Sequence, residues 1–240
     1  MNSKYRYLVP NGITFISLIC GIVSLMSAAS GYFLVGGSLV LASYILDLFD
    51  GALARRLNAS SEFGLQLDSL VDMVSLGVAP AFLTFAHLQE QNHEMFWVWP
   101  ATVLVVMAGA YRLARFNLLP PKLTGRKDSV GLTITAAGAT LALTVLADRS
   151  PYMLELGWDF IPNVLFIPLM VILSILMVSR IPYPSFGQVF THKWMTPVGV
   201  GSAVLLWYSF SFINAWFLCN LGYLTISLAR AGYYYKSYEH

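Results

Sequence analysis

The sequence predicts an all-α membrane protein, a polytopic bundle of about eight transmembrane helices. Three observations carry this. Charged residues form 11% of the 240-residue chain, against about 25% in a typical soluble domain. Hydrophobic residues form 57%, more apolar surface than a water-soluble fold of this size hides. Apolar windows near the length of a membrane span also recur from one end of the chain to the other.

The first window, 9–29, comes after a basic start at Lys4 and Arg6. With the small residues Ser27-Ala28-Ala29-Ser30 it looks like a cleavable signal, but Pro10-Asn11-Gly12 interrupts the apolar run that such a signal needs. It is therefore expected to remain as a span. The second window, 33–54, runs into Arg55-Arg56, and the third covers 66–88. The fourth, 96–117, ends among Arg112 and Arg115. The longest polar stretch, Lys122 to Ser129, then precedes windows at 130–147 and 161–179. Two short windows, 197–211 and 213–230, close the chain as a helical hairpin. One integral membrane domain, 1–240, accounts for all of it, with a core over 1–190 and the hairpin over 191–240.

Lysine and arginine bias sets the orientation. With the N-terminus in the cytoplasm, the cytoplasmic ends collect Lys4, Arg6, Arg55, Arg56, Arg112, Arg115, Lys122, Arg126, Lys127, Arg180, Lys193, Arg230 and Lys236, while the opposite side holds only Arg149. Both termini are thus expected on the cytoplasmic side of a cytoplasmic (inner) membrane. A net charge of +2 with no basic stripe gives no reason to expect nucleic acid. Cys20 and Cys219 lie in apolar runs without a CxxC, so neither a disulfide framework nor a zinc site is implied. His87, His93, His192 and His240 have no metal-ligand spacing, and Trp97, Trp99, Trp207 and Trp216 read as interfacial belts.

Four aspartates break this apolar pattern. Asp47 and Asp50 are three residues apart and Asp68 and Asp72 four apart, so each pair shares one helix face. The second span ends near Arg55 and the third begins near Gly64, so the two pairs converge at one end of an antiparallel helix pair. Carboxylates beside hydrocarbon are costly and mark function. Four together cannot all stay ionised without cations between them. Oxygen ligands select hard divalent ions, magnesium or manganese foremost and calcium also admissible, and two ions suit four carboxylates holding a diphosphate. Gly51, Gly64 and Ala54 keep side chains out of the way of a substrate, and Arg55 lies one turn from Gly51 within reach of a phosphate. Close helix packing and interfacial anchoring are the competing roles for these four residues, and an ion pathway is the competing role for the aspartates.

The spacing D-x2-D-G-x2-A-R-x8-G-x3-D-x3-D, filled from Asp47 to Asp72, resembles the signature of the CDP-alcohol phosphotransferases. The resemblance implies transfer of a phosphatidyl-type group from a CDP-linked donor to an alcohol, with release of CMP. It implies Asp47, Asp50, Asp68 and Asp72 as metal ligands and Asp72 also as the base. Gly51, Ala54, Arg55 and Gly64 would lie against the nucleotide, with Asn11 and Thr14 of the N-terminal segment near it. A homodimer is expected from the resemblance alone.

Weaker segments bear on the acceptor. Ser75-Leu-Gly77-Val-Ala-Pro80, Tyr111-Arg112-Leu-Ala-Arg115-Phe-Asn117, Gly131-Leu-Thr-Ile-Thr-Ala-Ala-Gly138 and Ser179-Arg180-Ile-Pro182-Tyr-Pro184 resemble the serine-accepting branch of the family. That branch implies CDP-diacylglycerol and L-serine as substrates. Serine is zwitterionic, and Arg112 and Arg115 are expected to clamp its carboxylate or the donor phosphate. Snorkelling anchors are the bland alternative. Ser75 and Arg126 complete the expected acceptor or phosphate contacts, Asn117 being a further polar partner. Other acceptors, such as glycerol phosphate, inositol phosphate or choline, an archaeal lipid donor, and a cation transporter are the competing readings.

Overall fold

A computed structural model describes residues 8–57, 61–118, 129–150, 165–183 and 212–237. The described elements are helices, apart from one two-residue antiparallel ladder. Helices α1 (Leu8–Ala29) and α2 (Phe33–Arg56) form an antiparallel hairpin. Helix α3 (Glu62–Asp72) passes through a π-turn (Met73–Val78) into α4 (Ala79–Glu90), and α5 (Met95–Leu118) returns. Strand β1 (Ser129–Val130) precedes α6 (Ile134–Asp148) and α7 (Phe166–Val178). Strand β2 (Pro182–Tyr183) pairs with β1, and α8 (Phe212–Ser237) comes last.

Four segments are long and apolar enough to cross a membrane: Val9–Ala29, Phe33–Gly51, Glu62–Glu90 and Met95–Leu118. α6 and α7 are shorter apolar helices. The expected 213–230 window falls inside α8, whereas 197–211 lies outside the described residues. The expected third span, 66–88, begins earlier at Glu62 because Ser61 caps it, its hydroxyl accepting from the Gly64 N–H at 3.0 Å. The expected 130–147 window becomes a helix only from Ile134. Gly131 takes φ +79, outside helical space, and the Thr133 hydroxyl accepts from the Ala136 N–H to start the helix.

α6 is the centre of the bundle. It is buried along almost its whole length, as expected of a helix apolar on every side. Its hydroxyls are satisfied locally, Thr140 donating to the Ala136 carbonyl and Thr144 to the Thr140 carbonyl, each at 2.7 Å. Its Leu143 and Leu146 join Val40, Leu76 and Leu83 of the surrounding helices in one continuous apolar core.

The end of the bundle away from the aspartates carries a polar clasp. His87 is wholly buried, with Nε2 3.0 Å from Asp148 Oδ2 and Nδ1 accepting from Arg149 Nε at 3.2 Å. Arg149 also pairs with Glu90 and lies over the Phe33 ring, 4.9 Å from its centroid. His87, which in the sequence shows only the lack of metal-ligand spacing, is thus a tie between α2, α4 and α6. Asp148 and Arg149, the latter the only basic residue expected on that side, were its signal in the sequence.

Candidate active site

The carboxylates come together as helix pitch requires. One oxygen from each of Asp47, Asp50 and Asp68 lies within 4.8 Å of the others. Asp50 is buried and its Oδ2 accepts from the Thr14 hydroxyl at 2.9 Å, so α1 orients a ligand that α2 supplies. Thr14 also donates to the Pro10 carbonyl at 3.1 Å, which ties the hydroxyl to the first turn of α1. Asp72 stands beside this triad, buried and close enough for Asp47, Asp68 and Asp50 to bear on it electrostatically. Arg112 of α5 is also buried and faces both Asp72 and Asp47, with its guanidinium over the Phe116 ring at 5.3 Å. Four carboxylates against one guanidinium leave most of the negative charge unbalanced among the described residues.

That imbalance and the spacing fit a hard divalent cation. Ligand oxygens about 2.0–2.6 Å from one ion lie no more than about 4–5 Å from each other, and the triad meets this limit. The donor set is oxygen throughout, which favours magnesium, manganese or calcium over softer metals.

Other expected residues sort differently. Gly64 sits in the first turn of α3, where a Cβ would come within 3.3 Å of Asn11 Oδ1 and 3.1 Å of Ser61 Oγ. Asn11 and Gly64 therefore adjoin, as a shared nucleotide surface would need. Gly51 falls in the last turns of α2; the side chains of Ala54 and Arg55, and Arg126 altogether, lie outside the described residues.

Two residues expected at the acceptor site have other partners in this structure. Arg115 does not pair with Arg112 in a clamp, because its guanidinium is occupied by backbone carbonyls: Val178 at 2.8 Å, Val130 at 2.7 Å, Ser179 at 3.1 Å and Met177 at 3.3 Å. Positions three apart differ by only about 60° around a helix, but on side chains this long that offset leaves Arg112 near the carboxylates and Arg115 on the C-terminal carbonyls of α7. Ser75 is fully buried and donates to the Ser17 carbonyl at 3.0 Å, in the seam with α1 rather than in an open pocket. Asn117 pairs with Ser69 of α3, its Nδ2 3.1 Å from the hydroxyl.

Sequence reasoning missed a second polar layer. One turn along α1 from Thr14, the hydroxyls of Ser17 and Ser43 meet at 2.5 Å, both residues buried, next to Ser75. Isolated serines inside apolar spans carry no signal beyond small-residue packing, so only the assembled helices disclose the layer.

Residues 7–178 match the family described as CDP-alcohol phosphatidyltransferase. The chain belongs to the CDP-alcohol phosphatidyltransferase family. Its members include a Helicobacter pylori (strain J99) protein named CDP-diacylglycerol–serine O-phosphatidyltransferase, 36% identical over 211 residues, 87% of this chain and 83% of that one. A Bacillus subtilis protein of the same name is 30% identical over 181 residues, 75% of this chain and 92% of that one. An archaetidylserine synthase of Methanothermobacter thermautotrophicus is 31% identical over 178 residues, 73% of this chain and 69% of that one. The matched family region contains all four aspartates, Arg112, and the segment from Gly131 to Gly138.

Proposed function

We propose that this chain transfers the phosphatidyl group of CDP-diacylglycerol to the hydroxyl of L-serine, giving phosphatidylserine and CMP. The observation that carries the reading is the carboxylate triad with Asp72 buried beside it, in a chain of this family whose relatives bear that name. Asp47, Asp50, Asp68 and Asp72 are the metal ligands, for two ions. When bound, divalent cations neutralise the pyrophosphate and the charge that grows on departing CMP.

The chain's own residues do the rest. Asp72 accepts the proton from the serine hydroxyl as its oxygen bonds to the phosphorus that bears the diacylglycerol, and the bond from that phosphorus to the CMP oxygen breaks. A positioned base of this kind is worth about 10²–10⁴-fold in rate. Arg112, buried near Asp72 and Asp47, takes the serine carboxylate or a donor phosphate oxygen, with Arg126 assisting. Asn11, Thr14, Gly51, Ala54, Arg55 and Gly64 form the nucleotide surface. With eight spans in one domain, the lysine and arginine bias of the loops supports a site at the cytoplasmic face of the inner membrane, where soluble serine and CMP meet a lipid donor; a homodimer is the expected assembly. The likeness to an archaetidylserine synthase favours one second reading, the same transfer from an isoprenoid-chain donor.

CMP release measured with each donor against a panel of alcohols decides among these. Serine alone should support turnover with CDP-diacylglycerol; a preference for glycerol phosphate, inositol phosphate or choline would overturn the acceptor assignment. Asp72→Asn should abolish turnover while donor binding persists, and wild-type turnover by that variant would remove Asp72 from the mechanism.

A further inference from the structure

Immediately after Asp72 the helix makes a π-turn, Met73–Val78, closed by the Ala79 N–H reaching back five residues to the Val74 carbonyl. Single π-turns inside α-helices recur at functional sites. Here the cause is local. Pro80 has no N–H to offer the Leu76 carbonyl four residues earlier, and its ring would strike that carbonyl in a regular helix. The Leu76 carbonyl is instead turned against α6 at Gly138, where an added Cβ would overlap its oxygen and lie 3.0 Å from its carbonyl carbon. On the opposite side the turn is gripped by α1, since a Cβ on Gly21 would lie 2.7 Å from the Ser75 Cα. Both obstructions involve backbone, which cannot swing aside as a side-chain end can.

The consequence lies in helix phase. A π-turn adds one residue to the helix, rotating α3 against α4 by about 100° relative to an uninterrupted helix. α4 is fixed by the core, with Leu83, His87 and Leu88 wholly buried and His87 held by Asp148. Relaxing the turn to a regular helix would therefore rotate α3, carrying Asp68 and Asp72 away from Asp47 and Asp50. We infer that Pro80, Gly138 and Gly21 are positioning residues, which set the phase of the Asp68/Asp72 pair against the Asp47/Asp50 pair through this π-turn. The inference rests on the reading of these carboxylates as a metal-binding active site.

The test uses the full chain in detergent or nanodiscs, with variants Gly138→Ala, Pro80→Ala, Pro80→Ala/Gly138→Ala and Asp72→Asn. Gly37→Ala serves as the packing control: a Cβ there is also crowded, 2.6 Å from Leu146 Cγ, but against a side chain far from the aspartates. Two quantities are read: turnover, and the magnesium concentration that gives half-maximal thermal protection. Gly138→Ala should lower kcat about a hundredfold, the scale on which misplacement of about 1 Å acts, and raise the magnesium midpoint about tenfold. Gly37→Ala should lower the melting temperature without moving that midpoint. Restoring an N–H at position 80 lets the Leu76 carbonyl return to the helix, so the double variant should regain melting temperature over Gly138→Ala while kcat stays low. An unmoved midpoint and near-normal kcat in Gly138→Ala would overturn the inference, as would additive destabilisation in the double variant. Full turnover by Asp72→Asn would instead sink the base assignment, and the magnesium midpoints would still decide the role of the turn.

Discussion

Replacing Arg115 with alanine removes the only side chain seen to bridge α5, the β1 strand and the end of α7 among the described residues. Two of its four carbonyl contacts are short, 2.7 Å to Val130 and 2.8 Å to Val178. A hydrogen bond from a charged donor contributes about 1.5–3 kcal/mol where water is excluded. The two short bonds at the low end come to about 3 kcal/mol, and because Arg115 is only half-buried water replaces part of that, leaving a loss of about 2 kcal/mol. At about 2–4 °C per kcal/mol for a chain of this size, melting should fall by about 4–8 °C. Lysine should restore less than half of that, since a single ammonium cannot span carbonyls on both sides of the Gly131 turn. Melting monitored by tryptophan fluorescence in detergent measures the shift, and serine KM is read on the same preparation. The bridging role fails if the alanine variant melts with the wild type, or if serine KM rises tenfold with melting unchanged. The latter would restore Arg115 to the acceptor site.

Thr14→Val removes the hydroxyl that orients Asp50, and should raise the magnesium midpoint for thermal protection about three- to tenfold, the scale of one hydrogen bond. An unshifted midpoint would show that Asp50 needs no help from α1. Asp148→Asn leaves the buried His87 without its carboxylate and should cost about 3 kcal/mol of stability, with turnover per folded molecule unchanged because the clasp stands at the far end from the aspartates. Lost turnover at full folding would tie that end to the chemistry. Chelation should abolish CMP release and lower the melting temperature, both restored by magnesium or manganese; turnover that survives chelation would refute metal dependence.

The aspartate arrangement was legible before any coordinates because it depends on local geometry alone. Three- and four-residue spacings fix a helix face, a short connection makes neighbouring helices antiparallel, and Asp47, Asp50 and Asp68 meet as those rules require. Arg112 and Arg115 mark where such reasoning stops. Spacing put both at one end of α5, but which partner each long arm reaches depends on the end of α7, more than sixty residues away. The Ser17–Ser43 contact likewise needs the register of α1 on α2. The π-turn is an intermediate case: Pro80 announces a disturbed helix, but its accommodation as an extra residue rather than a break is decided by Gly138 and Gly21 on two other helices.

The apolar core between the two polar ends has a bearing on the membrane itself. Protons move along unbroken chains of hydrogen bonds, and a cluster of carboxylates open to water is one end of such a chain. The hydroxyls of Ser17, Ser43 and Ser75 carry the polar path one turn inward. Val40, Leu83 and Leu143, none with any solvent exposure, then separate it from His87 and Asp148. An apolar plug thus interrupts any hydrogen-bonded path between the two polar ends of the bundle.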